Sequence, residues 1–166
     1  MTDAEKYMKA ALRLAKKAAD EGEVPVGCVV VCDGVIVGRG CNRREGKKDA
    51  LCHAELEAIH KACRKLGGWR LHRCDLYVTL EPCPMCTGAI INARIRTLYY
   101  GAPDPKAGSC GTLTDLFSVG YNHRPEVVAG VLGDECAEQL RAFFRALRAR
   151  KRAEKQALSG GGEARG

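Results

Sequence analysis

Two short stretches of the chain contain the side chains that metal-assisted hydrolysis uses. His53-Ala54-Glu55 supplies an imidazole and a carboxylate, and Pro82-Cys83-Pro84-Met85-Cys86 supplies two thiols. A Cys-x-x-Cys pair at the start of a helix has both sulfurs within one turn, and the helix N-terminus favours their ionised forms. Together with His53 they make three protein ligands, which leave one tetrahedral position open, as in catalytic zinc sites.

Glu55 adds a proton carrier to this set. A water molecule bound to zinc has its pKa lowered towards ~7 and becomes a nucleophile. A carboxylate beside that water can take its proton and deliver it to the substrate. On a helix, Glu55 and His53 lie on neighbouring faces. We therefore interpret Glu55 as an acid–base group and not as a ligand.

Other interpretations of the same residues exist. Cys83 and Cys86 could form a redox pair, although no thioredoxin-like pattern surrounds them, or half of a structural zinc site, although the chain has no second Cys-x-x-Cys. Taken singly, His53 suits a capping or surface position, and Glu55 suits any first helical turn. The order and spacing of the joint pattern argue against chance.

Composition places the chain among ordinary globular proteins. Its 166 residues suggest one domain, with 46% hydrophobic and 28% charged residues. There is no apolar run long enough for a membrane span, and the N-terminal stretch lacks the pattern of a signal peptide. We expect a cytoplasmic protein without membrane contact. Because thiols stay reduced there, we interpret most of the ten cysteines as core residues and not as a disulfide framework.

The positive charge is concentrated near the C-terminus. The formal net charge is +7, and residues 141–155 contribute +6 of it. Such a run is often only a solvated helix face, but it also suits contact with the phosphates of RNA. The basic residues that we expect to contact the RNA backbone are Arg145, Arg148, Lys151 and Arg152.

The pattern of elements predicts a mixed α/β sheet with helices on both faces. A helix over about residues 4–20 precedes a hairpin that turns at Asp33-Gly34. Helices and strands then alternate, with a polar loop over 41–52, a short helix at TLTDLFS, a fifth strand at PEVVAGVL and a long terminal helix. We expect one domain over residues 1–157 with this basic helix at its end, and a disordered tail over 158–166.

Beyond these motifs, the chain resembles the bacterial tRNA-specific adenosine deaminases over about residues 4–155. The zinc motif marks the wider cytidine deaminase-like superfamily, and the later segments point to the tRNA branch. The segments that carry the resemblance are EVPVG (23–27), Asn42, HAE (53–55), YVTLEPCPMC (77–86), GAPDPKAGSCGTLTDL (101–116) and NHRPEV (122–127). The resemblance implies a three-layer cytidine deaminase-like fold, conversion of adenosine to inosine at the tRNA wobble position, and a homodimer.

The resemblance also implies roles for individual residues. One zinc per chain would be held by His53, Cys83 and Cys86, and Glu55 would shuttle protons. The residues that would bind the flipped-out nucleotide and its neighbours in the anticodon stem-loop are Val26, Asn42, Ala54, Asp104, Asn122, His123 and Arg124. The chain departs from the family pattern at Cys28, at Arg44 and at 50–52, positions that concern substrate preference and not the chemistry.

Two rival functions remain open at this point. One is deamination of a free base or nucleotide such as guanine, cytidine or deoxycytidylate, which the zinc motif alone does not exclude. The other is a non-catalytic RNA-binding subunit of the same fold, which should lack Glu55. The basic terminal helix and the NHRPEV segment favour an RNA substrate.

Overall fold

The computed structural model describes residues 1–161. Its elements, in chain order, are α1 (Asp3–Asp20), β1 (Gly27–Cys32), β2 (Val35–Cys41), α2 (Arg44–Lys47), α3 (Ala54–Leu66), β3 (Cys74–Leu80), α4 (Pro84–Asn92), β4 (Thr97–Ala102), β5 (Glu126–Ala129) and α5 (Gly133–Gly160).

The five strands form one mixed sheet in the order β2-β1-β3-β4-β5. β1 is antiparallel to both β2 and β3, whereas β4 is parallel to β3 and β5 is parallel to β4. The turn predicted at Asp33-Gly34 joins β1 to β2, and both residues have positive φ, as a tight hairpin turn requires. The predicted mixed five-stranded sheet is confirmed.

Helices cover both faces of this sheet and give three layers. Along β1, Cys28 and Val30 face a core shared with α3 and α4. Val29 and Val31 face the opposite core, which contains Met8 of α1 and Cys136 of α5. This alternation follows from the two-residue period of a strand. All ten cysteines have free thiols and seven are buried, as expected for core residues.

The strand directions bring three connections to one edge of the sheet. Because β2 and β3 are both antiparallel to β1, and β4 is parallel to β3, the ends of β2, β3 and β4 lie at the same edge. The connection after β2 leads to α3, the one after β3 leads to α4, and the one after β4 is an irregular loop. Ligand sites in open α/β sheets form at such an edge.

Close packing of α3 on β2 depends on small residues. A Cβ atom added at Gly40 would clash with the carbonyl oxygen of Ala54, and one at Gly38 would clash with that of Ala58. The strand can therefore approach the helix backbone directly. This contact sets the position of the first turn of α3 relative to the sheet.

Three details differ from the sequence-based expectations. The polar loop after β2 contains the short helix α2, and the helix expected at TLTDLFS is a 3-10 turn confined to Leu116–Ser118. The terminal helix continues to Gly160, so the first residues of the expected disordered tail are helical, because alanine, lysine and glutamine before them favour helix. The remainder of that tail, residues 162–166, lies outside the described residues. Every helix among residues 1–161 is too short or too polar to span a lipid bilayer.

We predict that Gly40→Ala lowers the free energy of unfolding by about 1–3 kcal/mol, because the added methyl group overpacks the α3–β2 contact. Urea denaturation measures this change. Gly88→Ala is the matched control: it lies inside α4 with open space around it, and removing a helical glycine should raise stability by about 0.5–1 kcal/mol. Equal effects of the two substitutions would contradict the proposed packing.

Candidate metal centre and substrate cavity

His53, Cys83 and Cys86 converge at the edge of the sheet where β2 and β3 end. His53 Nδ1 lies 3.6 Å from Cys83 Sγ and 3.5 Å from Cys86 Sγ. The three ligand atoms lie within 4.8 Å of one another and could hold a metal ion. The structure thus brings together the three residues that the sequence predicts as ligands.

Helix starts hold these ligands in place. His53 is the N-cap residue of α3 and Cys83 is the N-cap residue of α4, both with extended backbone. Pro84 occupies the first turn of α4, where its missing N–H is not needed, and Cys86 lies in the same turn. The dipoles of both helices direct partial positive charge at this point, which favours thiolates.

The pKa values of the Cys83 and Cys86 thiols shift in opposite directions. A hydrogen bond with Cys86, followed by one with His53, lowers the pKa of Cys83 to about 4. The same hydrogen bond, together with burial, raises the pKa of Cys86. A hydrogen bond with Cys83 raises the pKa of His53. These hydrogen bonds favour ionisation of Cys83, and a bound cation would displace the remaining protons.

Glu55 lies beside the three ligands in the first turn of α3. Its side chain is buried, at 4% exposure, and burial raises its pKa above the ordinary range for a carboxyl group. Interaction with the Cys86 thiol offsets part of this rise in the pKa of Glu55. A buried carboxyl group with a raised pKa next to a metal-binding cluster is suited to giving and taking protons.

A cavity of about 490 Å³ opens above this cluster. Five residues that the sequence predicts for substrate contact or chemistry line it together with His53 and Cys83: Val26, Asn42, Ala54, Glu55 and Asp104. Val26 supplies apolar surface, whereas Ala54 lies just beneath the wall and is fully buried. The cavity therefore combines an apolar wall with a few polar groups, the composition typical of small-molecule sites.

Asn42 is held in place by both ends of its side-chain amide. Its Nδ2 donates to the carbonyl oxygen of Val24, and its Oδ1 accepts the backbone N–H of Arg44, each at 3.2 Å. The amide nitrogen has two N–H groups, so a second donor remains for a ligand. Asp104 is also fixed, because its Oδ1 accepts the backbone N–H groups of Lys106 and Ala107.

Sequence reasoning missed two buried carboxylates and several cavity residues. Glu23 accepts the backbone N–H groups of Glu45 and Gly46 and so holds α2 beside the cavity. Glu81 holds the loop after β4. Glu81 follows the last residue of β3 and precedes Pro82, and Glu23 lies two residues before Pro25, so the sequence offers little signal for either role. Lys106, Leu140 and Phe144 also line the cavity, and the sequence assigned them no contact with substrate.

The Asn122–Arg124 stretch is not at this cavity. The ring Nε2 of His123 donates to the carbonyl oxygen of Ile95 at 2.7 Å, just before β4 begins. The cavity lies beyond the other end of β4. Six strand residues at about 3.3 Å each therefore separate the His123–Ile95 hydrogen bond from the cavity by roughly 20 Å. Within one chain, the structure does not bring these three residues together with the other predicted nucleotide contacts.

The basic helix α5 borders a second cleft, of about 400 Å³, that adjoins the cavity through Lys106, Leu140 and Phe144. Arg145 and Arg148 line this cleft, whereas Lys151 and Arg152 are exposed further along the helix. Arg145 also forms an ion pair with Glu138 at 2.7 Å. The predicted basic surface therefore begins at the mouth of the cavity.

Comparison with known proteins identifies the family. A profile of the MafB19-like deaminase family matches residues 2–148. The tRNA-specific adenosine deaminase of Bacillus subtilis (strain 168) is 50% identical over 160 residues, which cover 96% of this chain and 99% of that protein. The chain belongs to the tRNA-specific adenosine deaminase family.

Solved structures agree with this assignment. One, from a study of A-to-I editing by tRNA:A34 deaminases at the wobble position, superposes with a TM-score of 0.78 at 46% identity, covering 81% of this chain and 98% of that chain. A guanine deaminase from Nitrosomonas europaea superposes with a TM-score of 0.69 over 84% of this chain and 83% of that chain. Its identity is only 24%, so it shows the shared fold alone.

We predict that the purified protein contains about one transition-metal ion per chain, and that Cys83→Ala combined with Cys86→Ala removes it, because only the His53 nitrogen remains as a ligand. Elemental analysis by mass spectrometry measures the content. Cys63→Ala, which removes a half-buried thiol from the same protein, should leave the metal in place. A double variant that keeps its full metal content would refute this ligand assignment.

Proposed function

We propose that this protein is a zinc-dependent enzyme that converts adenosine to inosine at the wobble position of tRNA by hydrolytic deamination. The observation that carries the proposal is the placement of Glu55, buried beside the His53–Cys83–Cys86 cluster below the cavity. In a chain of this family, that placement supports the chemistry for which its relatives are named.

The spacing of the ligand atoms fits zinc. With Zn–S bonds of ~2.3 Å and a Zn–N bond of ~2.0–2.1 Å, tetrahedral geometry separates a nitrogen ligand from a sulfur ligand by about 3.6 Å. The separations here are 3.6 and 3.5 Å. A donor set of one imidazole and two thiols also suits zinc and leaves a fourth position for water.

Glu55 performs the proton transfers in the proposed reaction. Zinc, when bound, would supply a water of lowered pKa as the nucleophile. The Glu55 carboxylate takes a proton from the attacking water and passes it to the amino group at C6 of the adenine. The C6–N bond breaks and ammonia leaves, so that adenosine and water give inosine and ammonia.

The cavity accounts for an RNA substrate with an extruded base. The C6 amino group cannot reach Glu55 from within a stacked helix, and a loop nucleotide costs least to flip out. Val26 and Ala54 would pack against the base, Asn42 would donate a hydrogen bond to the nucleotide, and Asp104 would contact its neighbour. The cleft along α5 continues from the cavity mouth and suits the flanking phosphates.

We predict that the protein converts adenosine to inosine in an anticodon stem-loop with adenosine at the wobble position, in preference to free adenosine, cytidine or guanine. The reason is that the cavity opens onto a basic cleft that only a polynucleotide would use. A competition assay read by mass spectrometry measures the products. Faster turnover of free guanine or cytidine would reject this substrate and favour a free-base deaminase.

The matched control in this assay is Glu55→Ala. Because Glu55 carries protons and binds no metal, this variant should keep its zinc and lose about 10²–10⁴-fold in rate. Turnover within a few fold of the parent would refute the mechanism. A parent that binds the stem-loop but makes no inosine would instead indicate a non-catalytic RNA-binding subunit.

The basic residues of α5 extend the proposed RNA contact. Arg145 and Arg148 line the cleft next to the cavity, and Lys151 and Arg152 continue the positive surface along the exposed part of the helix. We assign all four to the phosphate backbone. Lys106, on the opposite side of the cleft, adds a further positive charge.

Substitution of Arg145 and Arg148 by glutamine should weaken stem-loop binding and flatten its dependence on salt by about 1.5 in the log–log slope, because two phosphate contacts are lost. Fluorescence anisotropy at several salt concentrations measures both effects. The charge-matched control is Arg70→Gln with Arg73→Gln, at the opposite end of the sheet. Equal log–log salt slopes in the two double variants would show that the basic face of α5 is only solvated and does not contact RNA.

We further propose a homodimer that works in the cytoplasm, where tRNA is present and thiols stay reduced. Two observations support a second copy. Val127 and Val128 on the edge strand β5 are 39% and 41% exposed, and Tyr121 nearby is more exposed still. In addition, Asn122–Arg124 could contact RNA at a cavity only if another copy presented them to it.

Light scattering should therefore give a mass twice that of the 18.0 kDa chain. A charged residue in the exposed apolar surface should destabilise the dimer, so Val128→Lys is expected to shift the mass towards that of one chain. Exchange of the nearby exposed Glu126 for glutamine serves as the control. A parent that has the mass of a single chain at micromolar concentration would rule out the dimer.

A further inference from the structure

Glu81 is a buried carboxylate that the proposed chemistry does not use. It follows the last residue of β3, directly before Pro82 and the ligand Cys83, and its side chain is 2% exposed. Its backbone N–H donates to the carbonyl oxygen of Ala102 at the end of β4. Burying an ionised carboxylate is costly unless hydrogen bonds compensate, so its partners indicate what it does.

Four donors converge on this carboxylate, and all belong to the loop after β4. The backbone N–H of Asp104 donates to Oε1 at 3.2 Å, and those of Cys110 and Thr112 donate to Oε2 at 3.0 and 3.2 Å. The Thr112 hydroxyl makes the fourth hydrogen bond, to Oε1. A single side chain thereby satisfies three backbone groups that helix or strand hydrogen bonds would otherwise serve.

The loop packs directly onto the carboxylate. A Cβ atom added at Gly108 would lie 2.5 Å from Glu81 Oε2 and 2.5 Å from the Asp104 carbonyl oxygen. The backbone N–H of Ser109 also donates to the carbonyl oxygen of Pro82 at 3.0 Å. The loop is therefore folded around the segment that leads into the metal ligands.

This loop forms one wall of the substrate cavity. Residues 103–107 line the cavity, opposite Val26 and Asn42. Asp104 faces the cavity from the first part of the loop, and Lys106 borders both the cavity and the basic cleft. The position of these two side chains relative to Glu55 depends on where the loop backbone is held.

We propose that Glu81 is a positioning residue for the RNA substrate: it sets the 103–112 loop, and through Asp104 and Lys106 it governs how tightly the stem-loop binds. The proposal rests on the proposed function for its substrate. Glu81 contributes to KM for RNA and leaves the proton transfers to Glu55.

Glu81→Gln tests this role because it keeps the shape and removes one acceptor. The glutamine NH₂ group would face backbone N–H donors, so about half of the hydrogen bonds to the loop are lost. We expect KM for the anticodon stem-loop to rise at least about tenfold, because the loss of even one of these charge-assisted hydrogen bonds has an effect of that size and two are lost. The kcat should stay within about threefold, because Glu55 and the metal ligands are unchanged.

Thr112→Val provides a second variant in case Glu81→Gln does not fold. It removes the hydroxyl donor alone and should raise KM several-fold in the same direction. Thr114→Val is its control, since the Thr114 hydroxyl is not one of the four donors, and it should behave like the parent. The backbone N–H groups of Asp104, Cys110 and Thr112 should exchange with solvent faster in Glu81→Gln.

Two outcomes would overturn the proposal: an unchanged KM in both variants, or a fall in kcat at unchanged KM, which indicates a smaller folded fraction. The dissociation constant of the stem-loop, measured by fluorescence anisotropy without turnover, tests the role of Glu81 independently of the proposed function. A parent that makes no inosine contradicts the function. Unaltered RNA affinity in Glu81→Gln and Thr112→Val contradicts the role of Glu81.

Discussion

The convergence of two helix N-termini at one edge of the sheet is the constraint on which the site depends. His53 begins α3 and Cys83 begins α4, and both helices follow strands that point the same way. Their dipoles favour negative charge at the point where the thiols meet. A shift of either helix by one turn would separate the ligand atoms by more than any metal bond allows. The tight contact of α3 with Gly38 and Gly40 of β2 opposes such a shift.

Three buried carboxylates surround the cavity, and their partners distinguish their roles. Glu23 and Glu81 accept backbone N–H groups and fix the segments on either side of the cavity. Glu55 instead faces thiols and the cavity, and burial raises its pKa. The backbone donors tie Glu23 and Glu81 to a structural role and occupy lone pairs that chemistry would otherwise use. A carboxylate with a raised pKa and an open side can exchange protons.

The elements and the grouping of His53, Cys83 and Cys86 could be predicted from the sequence because they follow from local rules. Strand alternation in VGCVVVC, the Asp33-Gly34 turn and Pro84 at a helix start each specify local structure. The parts that could not be predicted depend on contacts distant in sequence. The groups that donate hydrogen bonds to Glu81 are 23 to 31 residues away in sequence. Phe144 reaches the cavity only because α5 packs beside it. The distance of His123 from the cavity follows from its hydrogen bond to Ile95 just before β4, and no local sequence pattern encodes this contact.

The proposed zinc coordination consists of one nitrogen and two sulfurs of this chain, with a fourth position left open for water. X-ray absorption at the zinc edge measures it most directly in the purified, metal-loaded protein. We expect two sulfur ligands at ~2.3 Å and two nitrogen or oxygen ligands at ~2.0 Å, with one of the latter exchangeable. A first shell of three or four sulfurs, or one that stays unchanged in Cys83→Ala, would contradict it.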